Sequence, residues 1–145
     1  MKQLLLLTIT LLLSSCGQPI ARESKPTLIN KHNLNEDQAY IMVYRGTERP
    51  FSSPLTKEKR SGVYVSAATG EVLFHSKDKF NSYTGWPSFD VATDKVALGP
   101  REQGGWEVIE LSTGYHLGHL FINEGFTKNN KRYCINGDAL RFIPD

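Results

Sequence analysis

The 145-residue chain has few cysteines, little net charge and no long apolar segment beyond its first residues. Its two cysteines can form at most one disulfide, which excludes a fold held together by a disulfide framework. A formal net charge of +2 gives no electrostatic case for nucleic-acid binding. The apolar run at residues 4–13 is too short to span a bilayer comfortably. Since no internal repeat is visible, the length predicts a single domain.

The N-terminus has the layout of an export signal, with a positive start, the apolar run at 4–13 and two small serines. The ending LSSC at 13–16 resembles the lipobox of bacterial lipoproteins. This resemblance implies that residues 1–15 are cleaved and that Cys16 carries acyl chains, which anchor a protein firmly to a membrane. We therefore predict a lipid-anchored protein of the bacterial cell envelope. Gly17, and not Asp, follows Cys16, which in some bacteria favours the outer membrane. The alternative is an ordinary signal that leaves Cys16 as a free thiol.

The second cysteine is then the candidate reactive group. If Cys16 is acylated, Cys134 is left as a free thiol in an oxidising compartment. An unpaired thiol there is a liability unless the protein uses its chemistry. The cysteine content therefore directs attention to the segment around Cys134.

The mature chain divides into a tether and a domain. Residues 16–33 contain proline, serine and charged residues with little apolar content, and predict a flexible tether. A short helix is predicted at 35–44, because Asn35 can cap it and Gln38 completes a capping box. Short Val-, Tyr-, Phe- and Ile-rich runs predict the strands 62–66, 71–75, 106–111, 117–122, 132–135 and 140–143. We therefore predict a mainly β domain over 34–145 with antiparallel sheets and a small N-terminal helical part.

The strand around Cys134 brings a cation to the thiol. Side chains alternate across a strand, so Arg132, Cys134 and Asn136 share one face. A guanidinium beside a thiol favours the thiolate, which is the reactive form of cysteine. The alternative is a surface arginine that is close to Cys134 only by chance.

Two histidines are candidate proton donors. His116 and His119 point in opposite directions on a regular strand, but a bend at Gly118 brings both rings to one site. Protonated histidine is the natural proton donor near neutral pH. One alternative is a buried, hydrogen-bonded histidine beside an exposed one. Another is a metal site with Cys134, which lacks a convincing fourth ligand.

Glycine and proline surround Trp86 in the segment 84–89, which predicts a rigid loop that presents an aromatic plane. Such a plane can hold the methyl group and sulfur of a methionine-like group, because sulfur–aromatic contacts are favourable. The alternative is an ordinary core tryptophan.

Four segments in this order carry a family resemblance: GTERPF at 46–51, GWPSF at 85–89, HLGH at 116–119 and RYCIN at 132–136. Together they closely resemble B-type methionine sulfoxide reductases, over about 34–145. The resemblance implies two antiparallel sheets and reduction of the R epimer of methionine sulfoxide in proteins. This enzyme class repairs one of the two sulfoxide epimers.

The resemblance also implies roles for individual residues. Cys134 matches the nucleophile, and His119 with His116 matches the pair that binds and protonates the sulfoxide oxygen. The matching substrate-binding positions are Trp86, Arg132, Asn136, Asn123 and Phe121. Asn123 stands where some relatives have Asp, so it keeps hydrogen bonding but lacks the charge.

The chain departs from the resemblance at the metal and resolving positions. Many relatives hold a structural zinc with four cysteines, but the matching positions here are Ser66, Thr69, Glu110 and Thr113. Without thiolates a four-sulfur zinc site cannot form, so we predict a metal-free domain. Thr84 stands where some relatives carry a resolving cysteine, which predicts a variant with a single catalytic cysteine.

The predicted cycle begins with the Cys134 thiolate, which attacks the sulfoxide sulfur while His119 protonates the oxygen. Cys134 becomes a sulfenic acid, and an external thiol, thioredoxin-like or glutathione-like, regenerates it without a bound cofactor. If Cys16 is a free thiol, it could resolve the sulfenic acid instead. We expect a monomer that acts on oxidised envelope proteins. The alternatives are a catalytically silent binding module and a metal-binding protein.

Overall fold

The computed structural model describes residues 23–145, so the predicted signal segment and Cys16 lie outside the described residues. The helices are α1 (Lys25–Lys31) and α2 (Glu36–Met42). The strands are β1 (Gly62–Ser66), β2 (Val72–His75), β3 (Lys79–Phe80), β4 (Ser88–Phe89), β5 (Val96–Glu102), β6 (Gly105–Glu110), β7 (His116–Ile122), β8 (Lys131–Ile135) and β9 (Leu140–Pro144). In this part of the chain, no helix is long and apolar enough to cross a membrane.

The strands form two antiparallel sheets, which confirms the predicted fold class. The smaller sheet has the order β2-β1-β9, and the larger has the order β3-β4-β8-β7-β6-β5. Although β9 directly follows β8 in the chain, it pairs with β1 in the other sheet. The turn between β8 and β9 therefore joins the two sheets directly after the strand that carries Cys134.

The six predicted strands are all present, with ends that shift by one residue at most. Three further strands were missed. β3 and β4 contain two residues each, which is too short to show an alternating pattern. β5 contains Gly99 and Pro100, and its pairing with β6 shifts register between Leu98 and Arg101. Proline is tolerated there because β5 is an edge strand and does not need every backbone donor.

Helix α2 confirms the predicted capping box. The Asn35 side chain accepts a hydrogen bond from Gln38 N at 2.9 Å, and the Gln38 side chain accepts one from Asn35 N at 3.1 Å. The helix buries Ile41 and Met42 in the core, each 1% exposed. These contacts fix the N-terminal end of the domain on the sheets.

The predicted tether differs from the structure at residues 25–31, which form α1 instead of a flexible segment. Ser24 caps this helix, and Leu28 and Ile29 pack against the core. The Tyr115 hydroxyl also donates to the Leu28 carbonyl at 3.3 Å. The prediction was wrong here because two adjacent apolar residues in a polar segment are a weak signal until a partner surface is known.

The core lies between the two sheets. Aromatic rings from both of them meet there, with Phe74 stacked on Phe89 at 4.4 Å and Tyr64 against Phe89 at 4.9 Å between ring centroids. Each of these three residues is 0% exposed. Such dense aromatic packing holds β4, and with it the neighbouring strand β8, in place.

Candidate active site

Strands β7 and β8 place a histidine and the cysteine side by side. His119 is directly opposite Cys134 in the antiparallel ladder, so both side chains leave the same face of the sheet. They open into a cavity of about 200 Å³ that is lined by Thr47, Thr84, Trp86, Gln103, Gly118, His119, Phe121, Arg132, Cys134 and Asn136. The predicted set Arg132, Cys134 and Asn136 is therefore brought together on one wall.

A β-bulge places His116 and His119 on the same side of the sheet. Val108 pairs with Gly118, but the next residue of β6, Ile109, pairs with His116, so Leu117 is an extra residue in β7. One extra residue reverses the alternation of side chains. The two imidazole rings consequently lie 5.2 Å apart between centroids. Both rings thus lie on one side as predicted, but the irregularity that brings them there is the bulge at Leu117 and not a bend at Gly118.

Gly118 allows β7 and β8 to approach closely beside the thiol. A Cβ atom at this position would lie 2.0 Å from the carbonyl oxygen of Cys134. No side chain other than hydrogen fits there without moving the backbone of the cysteine. The glycine between the two histidines therefore positions Cys134.

Two opposing effects act on the thiol of Cys134. Burial raises its pKa, and the Arg132 guanidinium lowers it through its charge and a hydrogen bond. Burial prevails, so the pKa of Cys134 lies above the ordinary value for cysteine. The predicted influence of Arg132 is present, but it does not by itself produce a resting thiolate.

Arg132 is held by a carboxylate that the sequence reasoning missed. Its Nε and Nη2 atoms donate to the two carboxylate oxygens of Glu124 at 2.8 and 2.9 Å. The guanidinium also lies over the Phe121 ring, 4.6 Å from its centroid. A forked ion pair and an aromatic face fix the orientation of an arginine more strongly than either contact alone. Arg132 is buried, with 7% of its surface exposed.

Asn123 does not line the cavity, in contrast to its predicted role in substrate binding. It is exposed and adopts a left-handed conformation with φ of 64° in the turn after β7. Asparagine tolerates this conformation well. The turn directs the next residue, Glu124, to Arg132, so the negative charge absent at position 123 is supplied one residue later.

His116 lies behind the cavity wall and is 1% exposed. Its Nδ1 atom is 2.8 Å from Glu107 Oε1, and Arg45 Nη1 is 2.7 Å from the same oxygen. Burial lowers the pKa of His116 although Glu107 opposes this effect. We assign the proton of the neutral ring to Nδ1, because a carboxylate can only accept. His116 therefore supports the site from behind instead of lining it.

His119 is 9% exposed and faces Glu102, with its Nε2 atom 3.2 Å from Glu102 Oε1. Burial raises the pKa of Glu102, but His119 and Arg45 outweigh it, so the net shift is downward. An ionised Glu102 stabilises a protonated imidazole. This contact was also missed, because Glu102 lies in the unpredicted strand β5.

The described residues contain one group of donors with metal-ligand spacing, formed by Glu102, Glu107 and His116. Arg45 already lies between the two carboxylates, at 3.1 Å from Glu102 and 2.7 Å from Glu107. Its guanidinium supplies the positive charge that a metal ion would bring. The trio His116, His119 and Cys134 does not converge on a common point in the described part of the chain.

The loop with Trp86 closes the other side of the cavity. Trp86 Nε1 donates to the Glu48 carbonyl at 3.2 Å, and Glu48 N donates to Asn136 Oδ1 at 3.0 Å. The Glu48 carboxylate accepts from the backbone of Gly137 at 2.7 Å and of Asp138 at 2.9 Å. Burial raises the pKa of Glu48, while these two backbone donors oppose the shift. Glu48 therefore fastens the Trp86 wall to the end of β8, a role that the sequence did not reveal.

The four positions that correspond to zinc-binding cysteines form a hydrogen-bonded cluster. The hydroxyl groups of Thr69 and Thr113 donate to the two carboxylate oxygens of Glu110, the latter at 2.8 Å. Ser66 accepts from the backbone N–H groups of residues 68 and 69. Because the cluster offers no thiolate and both Glu110 oxygens are occupied, these residues do not fit a four-sulfur zinc site.

Comparison with known proteins adds to this geometry. Residues 34–144 match the family described as the SelR domain. The chain is 43% identical over 119 residues to a peptide methionine sulfoxide reductase MsrB of Methanosarcina barkeri. This alignment covers 77% of this chain and 82% of the relative. It is 41% identical over 122 residues to a protein of the same name from Methanosarcina mazei. This alignment covers 79% of this chain and 85% of the relative.

Proposed function

Because this chain belongs to the MsrB family of peptide methionine sulfoxide reductases, we propose that Cys134 and His119 carry out the reduction within the cavity described above. The reaction itself follows from the family: the chain is a peptide-methionine (R)-S-oxide reductase that converts methionine (R)-sulfoxide in proteins to methionine. The observation that carries the assignment is the position of His119 directly opposite Cys134 in the ladder of β7 and β8.

The proton needed at the sulfoxide oxygen comes from the site. Since burial keeps the pKa of Cys134 high, the resting side chain is a thiol. We infer that His119 accepts this proton as the sulfur attacks, and then donates it to the departing oxygen. The oxygen passes from the methionine sulfur to the Cys134 sulfur, so that the sulfoxide S–O bond breaks, methionine is released and Cys134 becomes a sulfenic acid. Glu102, at 3.2 Å from His119, stabilises the transient imidazolium.

The substrate side chain is held by the cavity walls. Trp86 offers an aromatic face to the methyl group and sulfur, and sulfur–aromatic contacts contribute roughly 0.3–1.5 kcal/mol. Phe121 forms the neighbouring wall, while Arg132 and Asn136 are the polar groups around Cys134. His116 acts from behind by fixing the ring of His119, and Asn123 shapes the turn that presents Glu124.

Regeneration requires a thiol from outside the domain. Cys134 is the free cysteine of the described residues. Thr84, which stands at the position of the resolving cysteine of some relatives, lines the active-site cavity but has no thiol. A first external thiol condenses with the sulfenic acid, releasing water and forming a mixed disulfide, and a second thiol releases Cys134. We propose a thioredoxin-like or glutathione-like reductant, no bound cofactor and no structural zinc. Unchanged turnover of a Cys16→Ser variant would exclude Cys16 as the resolving thiol.

The location proposed from the N-terminal sequence is the bacterial cell envelope. Lipidation at Cys16 would anchor a monomer to a membrane, with the outer membrane favoured, and would restrict it to oxidised envelope proteins within reach. Metabolic labelling with a radioactive fatty acid tests this proposal. Label in the wild type and none in Cys16→Ser is the expected result, and an unlabelled wild type would contradict it.

The experiment that tests the chemistry uses peptides with resolved R and S sulfoxides and dithiothreitol as the reductant. We expect turnover of the R form alone, and none in Cys134→Ser. His119→Gln should lower kcat by about 100-fold or more, the usual effect of losing a general acid. Full activity of either variant would defeat the assigned roles. Absence of turnover by well-folded wild type would instead favour a silent binding module.

A further inference from the structure

A cavity of about 720 Å³ lies next to the loop that carries Trp86. Its lining includes four cationic side chains and, among its aromatic residues, two that are largely exposed: Lys57, Lys59, Arg60, Lys79, Phe51 and Tyr83. We refer to it as the aromatic–basic groove. Nothing in the reaction at Cys134 requires such a surface.

The groove adjoins the active-site cavity. Tyr83 lines the groove, and the next residue, Thr84, lines the cavity of Cys134. Phe51 is tied to the same loop, because its N–H donates to the Gly85 carbonyl at 2.7 Å. A chain that leaves the active-site cavity across Thr84 therefore enters the groove.

Two of the aromatic residues of the groove are exposed and held in an unusual backbone conformation. Phe51 is 65% exposed with φ of 63°, and Tyr83 is 81% exposed with φ of 59°. Bulky residues rarely occupy the left-handed region, and such strain concentrates at ligand-binding sites. Exposed rings of this kind offer large contact areas to a partner at little entropic cost.

The groove carries uncompensated positive charge. Its carboxylate, Glu58, is already paired with Arg60 at 2.6 Å and has its pKa lowered to about 2 by this contact. Lys79 donates to two backbone carbonyls, at 3.0 Å each. Lys57 and Lys59 are exposed, and neither forms a salt bridge within the described residues. Lys57 and Lys59 are thus free to contact a partner directly, whereas the ammonium group of Lys79 is held by the two carbonyls.

We propose that the aromatic–basic groove binds the segment of the client polypeptide that flanks the oxidised methionine, and that it favours clients with acidic residues in this segment. The inference rests on the proposed reaction at Cys134. A methionine side chain fits a cavity of about 200 Å³, whereas its backbone must continue outside it. The aromatic rings accommodate that backbone, and the lysines select carboxylates by charge complementarity.

The test compares three synthetic peptides with one central methionine (R)-sulfoxide and, on both sides, either Asp, Ser or Lys residues. The full chain with Cys16→Ser is used in a non-ionic detergent, with dithiothreitol as the reductant. Surface ion pairs contribute modestly, so kcat/KM should be about three- to tenfold higher for the Asp than for the Lys peptide. The ratio should shrink when the salt concentration rises.

Matched variants locate the effect. Lys57→Glu combined with Lys59→Glu should abolish or reverse the preference. Lys95→Glu with Arg141→Glu changes the net charge equally at exposed positions outside the groove and should retain it. Tyr83→Asn should raise KM for all peptides, because asparagine keeps the left-handed backbone without the ring. All variants should reduce N-acetylmethionine (R)-sulfoxide, which is too small to reach the groove, at the wild-type rate.

Each outcome is decisive. Equal kcat/KM for the three peptides, or equal loss of preference in both charge-reversed variants, would overturn the proposal. So would an effect of Lys57→Glu and Lys59→Glu confined to KM for a thioredoxin-like reductant, because the groove would then receive the reductant. Failure of the wild type to reduce N-acetylmethionine (R)-sulfoxide would instead refute the reaction at Cys134.

Discussion

Replacing Arg132 by methionine tests the electrostatic reasoning on the active site most directly. Methionine keeps most of the side-chain length and removes the charge beside Cys134. It also leaves Glu124, the former partner of Arg132 at 2.8 Å, without its counter-charge. Both changes disfavour a thiolate, since Glu124 already acts to raise the pKa of Cys134.

The size of the effect can be bounded. A cation within hydrogen-bonding distance lowers the pKa of an acidic group by about 1–3 units, and Arg132→Met removes this effect while the opposing effect of Glu124 remains. We expect the pKa of Cys134 to rise by about one unit in Arg132→Met, which corresponds to about 1.4 kcal/mol. The thiolate fraction at neutral pH should fall about tenfold. A double variant, Glu124→Met with Arg132→Met, should show a smaller rise because both charges are gone.

The assay is the rate of alkylation of Cys134 by iodoacetamide, measured from mildly acidic to alkaline pH in a Cys16→Ser background. In this background Cys134 is the sole thiol of the chain. The midpoint of the rate profile gives the pKa in each protein. Circular dichroism and thermal unfolding serve as controls for folding, because Arg132 is buried. Equal midpoints in all three proteins, or a lower midpoint in Arg132→Met, would refute the reasoning.

Three other perturbations have defined outcomes. Gly118→Ala should reduce the free energy of unfolding by about 1–3 kcal/mol and lower kcat, because the new methyl group collides with the Cys134 carbonyl. Urea denaturation and turnover assays check this, and wild-type values in both would contradict it. Glu110→Ala should cost about 2 kcal/mol in the same denaturation assay with little change in kcat/KM, since the Thr113 hydroxyl loses its partner far from the thiol. Burial lowers the pKa of His116, so the unfolded chain binds more protons below its ordinary value near 6.5. Stability should therefore fall as pH decreases through this range, and an equally steep fall in His116→Gln would argue against this origin.

Much of the fold was accessible from local patterns in the sequence. Period-2 alternation in β8 correctly placed Arg132, Cys134 and Asn136 on one face, because neighbours along a strand have a fixed relation to each other. The capping box of α2 was readable for the same reason, since both of its hydrogen bonds link residues three positions apart. The short strands β3 and β4 were missed because two residues contain no period.

The groups that support the site could not be read in this way. Glu48 bonds to Gly137 across 89 positions of the chain, and no local pattern relates two such residues. Glu107 reaches His116 only because β6 pairs with β7 in the observed register. The role of Glu124 is evident only from the structure, in which the turn after β7 places its carboxylate against Arg132.

The sequence by itself determined which groups can react: one thiol, two imidazoles, a tryptophan in a rigid loop and an arginine beside the cysteine. These are properties of residue identity and of spacing along a single strand. Only the tertiary structure decided that His119 faces Cys134 and that His116 lies behind it. The bulge in β7, formed where this strand pairs with β6, sets the direction of both rings. It also decided that burial outweighs Arg132 at the thiol, since desolvation depends on what the rest of the chain packs around Cys134.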